Sequence, residues 1–139
     1  MKAFIFLVLS FFLASCSDEG PAVRSNAQEL TLKTGIQFAE ALVGGRYAEA
    51  QSLLTSELQK QYSPESLAAQ YGEMVSYGDG PATVDGQNAF MDKWPDKQAK
   101  DIGWSYISIS GEGYGEALTV IVTDENGVPK IRDIEWGSP

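Results

Sequence analysis

Apolar side chains follow three different patterns along this chain. Residues 3–13 are apolar except for Ser10 and follow a single cation, Lys2. Between residues 27 and 75 the apolar positions recur at steps of three and four. Beyond residue 100 they alternate with polar ones. A step of three or four places side chains on one face of a helix, and strict alternation places them on one face of a strand. The pattern therefore predicts a helical first half and a β second half.

In the helical part, Ala27, Leu30, Thr34, Phe38, Ala41 and Leu42 define one stripe. Ser25 or Asn26 can cap its start, and Gly44-Gly45 ends it. A second stripe follows in Tyr47, Ala50, Leu53 and Leu54, which stops near Thr55-Ser56; a further short turn carries Leu58 and Tyr62. Ser63-Pro64-Glu65 marks a new helix start, with a capping hydroxyl, proline at the first helical position and an acid facing the helix dipole. Leu67, Tyr71, Met74 and Val75 form its apolar side, and Tyr77-Gly78 stops it.

Residues 79–100 hold Pro81, Gly86 and Pro95 among charges and amides, so only Ala89-Phe90-Met91 reads as a short strand. Residues 102–110 (IGWSYISIS) and 117–123 (ALTVIVT) carry the strand signal, joined by a loose glycine-rich connection, 111–115. Asn126-Gly127 is a strong hairpin turn leading into a last strand, 130–136 (KIRDIEW). Helices followed by an antiparallel meander predict an α+β fold, with the N-terminal helices packed on one face of a curved antiparallel sheet.

The apolar leader is too short to cross a bilayer, which takes about 20 residues as a helix. A lysine, an apolar core and small residues make a secretory signal. Leu13-Ala14-Ser15-Cys16 resembles the lipobox of bacterial lipoproteins. That resemblance implies cleavage after residue 15 and acylation of Cys16, the only cysteine of the chain. Residues 16–26, with Gly20 and Pro21 and no hydrophobic period, then form a flexible tether to a domain over 27–139. Acyl chains contribute about 0.8 kcal/mol per buried methylene, so two or three of them hold a protein on a membrane. Ser17 after the cysteine resembles the signal for outer-membrane delivery, which implies a domain facing the periplasm.

The formal net charge is −9, and the leader takes only Lys2 with it. So acidic a chain is not built to bind nucleic acid through its general field. There is no histidine. With Cys16 acylated, triad nucleophiles and metal sites built on imidazole or thiolate are excluded. Gly111–Gly115 precedes a strand rather than a helix and so is a hairpin loop, not a phosphate cradle. Asp124-Glu125-Asn126-Gly127 lacks the later ligands of a calcium loop. No cofactor, metal or catalytic residue is expected.

The order of elements resembles the nuclear-transport-factor-2-like superfamily, which includes ketosteroid isomerase. The likeness lies in residues 38–67 (helix, glycine turn, helix, loop) and residues 103–137 (closing strands). It implies a cone-shaped, cystatin-like roll with a cavity between sheet and helices, and it implies dimerisation through the sheet as one role. For the isomerase chemistry, a carboxylate base and a tyrosine facing an oxyanion, Asp101, Glu116, Tyr106 and Tyr71 supply the residue types. No spacing matches that geometry. The leading expectation is a non-catalytic, membrane-anchored lipoprotein that binds a small apolar ligand or an envelope protein. Trp104 and Tyr106 share one strand face, opposite Ile107 and Ile109, and with Tyr71 and Trp136 they are the candidate ligand or partner residues. A homodimeric assembly subunit and a small isomerase-like or dehydratase-like enzyme are the alternatives.

Overall fold

The structure is a computed structural model and describes residues 25–137. The signal segment, Cys16 and the tether up to residue 24 lie outside the described residues. Four helices come first: α1 (Asn26–Val43), α2 (Tyr47–Ser52), α3 (Ser56–Gln59) and α4 (Pro64–Met74). Four strands follow: β1 (Asp79–Met91), β2 (Asp101–Glu112), β3 (Tyr114–Glu125) and β4 (Val128–Trp136). They form one antiparallel sheet in the order β1-β2-β3-β4. The helices pack on one face of it, an α+β fold. No described helix is long and apolar enough to cross a membrane.

The caps explain the helix boundaries. The Ser25 hydroxyl accepts from the Gln28 amide at 3.2 Å, and the Ser63 hydroxyl accepts from the Ser66 amide at 3.1 Å, ahead of Pro64. At the end of α1, Gly45 N–H donates to Leu42 O and Arg46 N–H to Ala41 O, while Gly45 takes φ +71°. This is the Schellman closure that glycine adopts without steric penalty.

The core lies between the helices and the inner sheet face. Phe38, Leu42, Leu54, Leu67, Ile107, Ile109, Leu118, Val120 and Ile131 are all essentially inaccessible. The volume that the family resemblance would leave as a cone is filled by these side chains. Helix and sheet approach closely because both carry glycine at the crossing. A Cβ on Gly35 would stand 2.8 Å from Ser105 Oγ and 3.1 Å from Ile107, and one on Gly103 would collide with Thr31 and Phe90. Thr31 and Gly35, four residues apart, thus belong to the buried stripe beside Phe38 and Leu42.

Two expectations about the β half change. The short strand at 89–91 is the end of the 13-residue β1. Its Gly80, Pro81 and Gly86 hide the alternation, and its pairing with β2 shifts register twice, between Asp79 and Thr83 and between Val84 and Asn88. An edge strand tolerates this because only one side of it must pair. The connection at 111–115 is tight, with Gly111 paired to Tyr114 and Gly113 at φ +78°. The Tyr114 ring lies against Gly78 and Gly111, where a side chain would collide with it. At the other end, Asn126 (φ 54°) and Gly127 (φ 82°) make the expected turn between β3 and β4.

Candidate functional site

The register of the sheet sorts the candidate residues onto two faces. In β2, Gly103, Ser105, Ile107 and Ile109 are buried against α1, while Trp104, Tyr106, Ser108 and Ser110 point the other way and are half-buried. Directly paired residues share a face. Met91, Trp104, Ile121 and Asp133 therefore form one cross-strand row on the outer face, and Ala89, Tyr106, Thr119 and Glu135 form the next. Successive members of a row stand about 4.8 Å apart. The helices occupy the opposite face. Thr119 is nevertheless only 8% exposed, and Ala117, two residues along on the same face and paired with Ser108, is wholly buried.

Trp104 and Tyr106 are thus neighbours on an outer surface, not on a cavity wall. Tyr71 and Trp136 are elsewhere. Tyr71 is buried on the core side of α4, and burial, followed by the nearby Tyr114 and Tyr47, pushes its hydroxyl above the ordinary tyrosine range. Trp136 is opposite Leu118 on the inner face. Its ring centroid is 6.3 Å from that of Phe38 and 6.1 Å from that of Tyr62, and its indole N–H donates to the Tyr62 hydroxyl at 3.3 Å. It closes the end of β4 over the helices. Cys16, the lipidation candidate, lies outside the described residues.

The acids considered for proton transfer do not converge. Asp101 is paired with Thr123 and Glu116 with Ile109, eight residues further along β2. At about 3.3 Å per residue they are roughly 26 Å apart, whereas paired catalytic carboxyls work within about 10 Å of each other. Tyr106 and Tyr71 are on opposite sides of the sheet.

Asp101 stands at the first position of β2. A strand end is ordinarily wet, yet the Asp101 side chain has no exposure. Arg132 donates from Nε to one carboxylate oxygen and from Nη2 to the other, both at 2.6 Å, and the Gln98 amide donates at 2.7 Å. Burial raises the carboxyl pKa. The hydrogen bonds from Arg132 and Gln98, the guanidinium charge and Thr123 outweigh it and hold Asp101 below the usual aspartate range. Arg132 moves up, chiefly through its hydrogen bond to Asp101. The guanidinium also donates to the Asp96 carbonyl at 3.4 Å, which ties the 92–100 connection to β4. A cleft of about 580 Å³, lined in part by Thr55, Leu58, Gln98, Asn126 and Arg132, opens beside this pair.

Glu116 receives the Tyr77 hydroxyl, with the Gly115 carbonyl 3.0 Å from the same oxygen. The Tyr77 pKa is pushed up to about 12, first by the hydrogen bond to Glu116, then by partial burial and the charges of Glu116 and Tyr114. This contact fastens the turn after α4 to the start of β3. A second cleft, of about 320 Å³, includes Glu73, Glu116 and Trp136. Both clefts are at the margins of the helix–sheet sandwich.

Two sets of functional candidates were not singled out from sequence. One is Arg132, whose partner is 31 positions away in the chain. The other is the completion of the aromatic rows by Met91, Ile121, Asp133 and Glu135, which needs strand register to be seen. Comparison of the chain with protein-family models, with curated proteins and with solved structures finds no match.

Proposed function

We propose that this protein is a non-catalytic, lipid-anchored lipoprotein of the cell envelope, built on a nuclear-transport-factor-2-like domain, that binds a protein partner through the outer face of its sheet. The observation that carries the reading is the placement of Trp104 and Tyr106 side by side on the face opposite the helices. Aromatic side chains combine large contact area with little conformational entropy and dominate binding energy where they make contact. A small apolar ligand is the weaker reading, because the space between helices and sheet is filled and the marginal clefts are lined by mixed polar and apolar side chains. The anchor rests on the leader and Cys16, and outer-membrane placement rests on Ser17.

Crosslinking in cells tests both parts. A photoreactive residue at position 104 or 106 should give partner adducts that are absent when it replaces the exposed Glu40 on α1. Cys16→Ala should move the protein out of the membrane fraction. Equal adducts at positions 40 and 106, or an unlipidated wild-type amino terminus by intact mass, would sink the corresponding half.

A further inference from the structure

We infer that the partner segment received by the outer sheet face is basic, carrying lysine or arginine among its contact residues; this rests on the reading of that face as the docking surface. The two rows end alike. Met91, Trp104 and Ile121 lead to Asp133, and Ala89, Tyr106 and Thr119 lead to Glu135, with both acids exposed along β4. On the β1 side of the same face, Asp85 accepts from the Ser108 hydroxyl at 3.2 Å and the Ser110 hydroxyl at 2.8 Å. The β4 end of each row therefore carries a carboxylate, and Asp85 adds a third further along the β1 side, beside Ser108 and Ser110. Of the two cations on β4, Arg132 is already held by Asp101, with Asp133 and Asp96 adding to the negative charge around it, and Lys130 donates to the Ser52 carbonyl.

A lysine or arginine lying across these rows meets two favourable fields. Its charge faces the rim carboxylates, and its head group can lie over the indole or phenol ring. The stem of the side chain covers the apolar part of the row.

The size of the face argues for a segment rather than a whole surface. Four strands at about 4.8 Å and six residues at about 3.3 Å give roughly 380 Å². A stable protein pair buries about 800 Å² on each partner. A second copy of this chain is also the wrong electrostatic match. It would bring another body of net charge −9 and the same rim acids. An anionic lipid surface is disfavoured for the same reason.

The test is an amide-shift titration of the full chain in detergent with a blocked peptide of alternating lysine and alanine, and with its glutamate–alanine counterpart. The lysine peptide should shift the amides of Trp104, Tyr106, Thr119 and Ile121, and the glutamate peptide should not. The double substitution D133N/E135Q should weaken binding roughly three- to tenfold, the range expected for two solvent-facing charge pairs. Because both acids are exposed, this variant keeps its fold, and an unchanged amide spectrum away from β4 verifies that. Equal binding of the two peptides, shifts confined to other surfaces, or undiminished binding by D133N/E135Q would overturn the inference. So would shifts of the same amides on phosphatidylglycerol vesicles but not with the lysine peptide. Crosslinks in cells at position 106 without lysine-peptide binding would leave the docking face standing and remove its basic partner. Lysine-peptide binding without crosslinks in cells would count against the docking face itself.

Discussion

Arg132→Met isolates what the buried ion pair does, and its effect should depend on pH in a distinctive direction. The substitution keeps most of the stem volume and removes the cation that satisfies both Asp101 oxygens. The Asp101 side chain has no exposure and that of Arg132 is 17% exposed, so solvent screens the pair little. Removing one partner of a buried pair costs about 3–5 kcal/mol, and we take about 3 kcal/mol here because the Gln98 amide and Thr123 remain. A domain of this size has roughly 5–15 kcal/mol of stability. With a urea m-value near 1.5 kcal/mol/M, the midpoint at pH 7 should fall by about 2 M.

The pH dependence follows from the direction of the Asp101 shift. In the wild type its folded pKa is depressed, so the pair contributes fully above the unfolded value of about 3.9. The contribution is lost as pH falls through the folded pKa. In Arg132→Met the main opposing influence is gone and burial drives the carboxyl upward. The variant then regains stability as pH falls through that raised pKa, because the buried acid becomes neutral. The wild-type-minus-variant difference, measured by urea melts from pH 7 to pH 4, should therefore shrink on acidification. A loss below about 1 kcal/mol at pH 7, or a difference that does not move with pH, would refute the reasoning.

Two substitutions in the helix–sheet core have more direct readouts. Phe38→Ala removes a fully buried ring that packs against Trp136 and should cost about 3–5 kcal/mol by chemical denaturation; a loss under about 1 kcal/mol would contradict its central position. Gly35→Ala sets two effects against each other. Alanine gains about 1 kcal/mol of helix propensity, but its Cβ meets Ser105 and Ile107, at an overpacking cost of about 1–3 kcal/mol. We expect net destabilisation, and a higher melting temperature would show that β2 can retreat.

How much of this was legible in the chain depended on how local each determinant is. The helices could be read because their determinants lie within four residues: the stripe through Phe38 and Leu42, the hydroxyls of Ser25 and Ser63, the glycines at 44 and 45. Strand β1 could be read only at its end, 89–91, since an edge strand with two register shifts loses the alternation by which strands are recognised. In β2, alternation separated Trp104 and Tyr106 from Ile107 and Ile109, but which set faced the helices depended on the glycine-to-helix approach at Gly35 and Gly103. Tyr71 and Trp136 carry the residue types of a binding surface, but their places, on the apolar stripe of α4 and at the end of the last strand, already suited inward packing. Nothing near Asp101 in the sequence announces Arg132, 31 positions away. The determinants that could not be read from the chain are long-range.

The short segment between α2 and α3 has a consequence for how the molecule tolerates crowding. Its Leu53 carbonyl accepts from Ile131 N–H at 2.9 Å, and Thr55 N–H donates to the Ile131 carbonyl at 2.8 Å, so a piece of the chain's own backbone runs parallel along β4. That margin of the sheet is therefore interrupted at Ile131, whose amide and carbonyl are paired from within. The other margin is β1, whose irregular register and Pro81 make it a poor template for a new strand. Neither margin offers the long, regular row of unsatisfied amides from which sheets grow chain by chain. A protein fixed to a surface, as proposed for this one, meets its neighbours at high local density and with limited freedom to turn away. Under those conditions a blunted sheet is a safeguard against polymerisation, and it leaves the outer face free for the docking proposed for it.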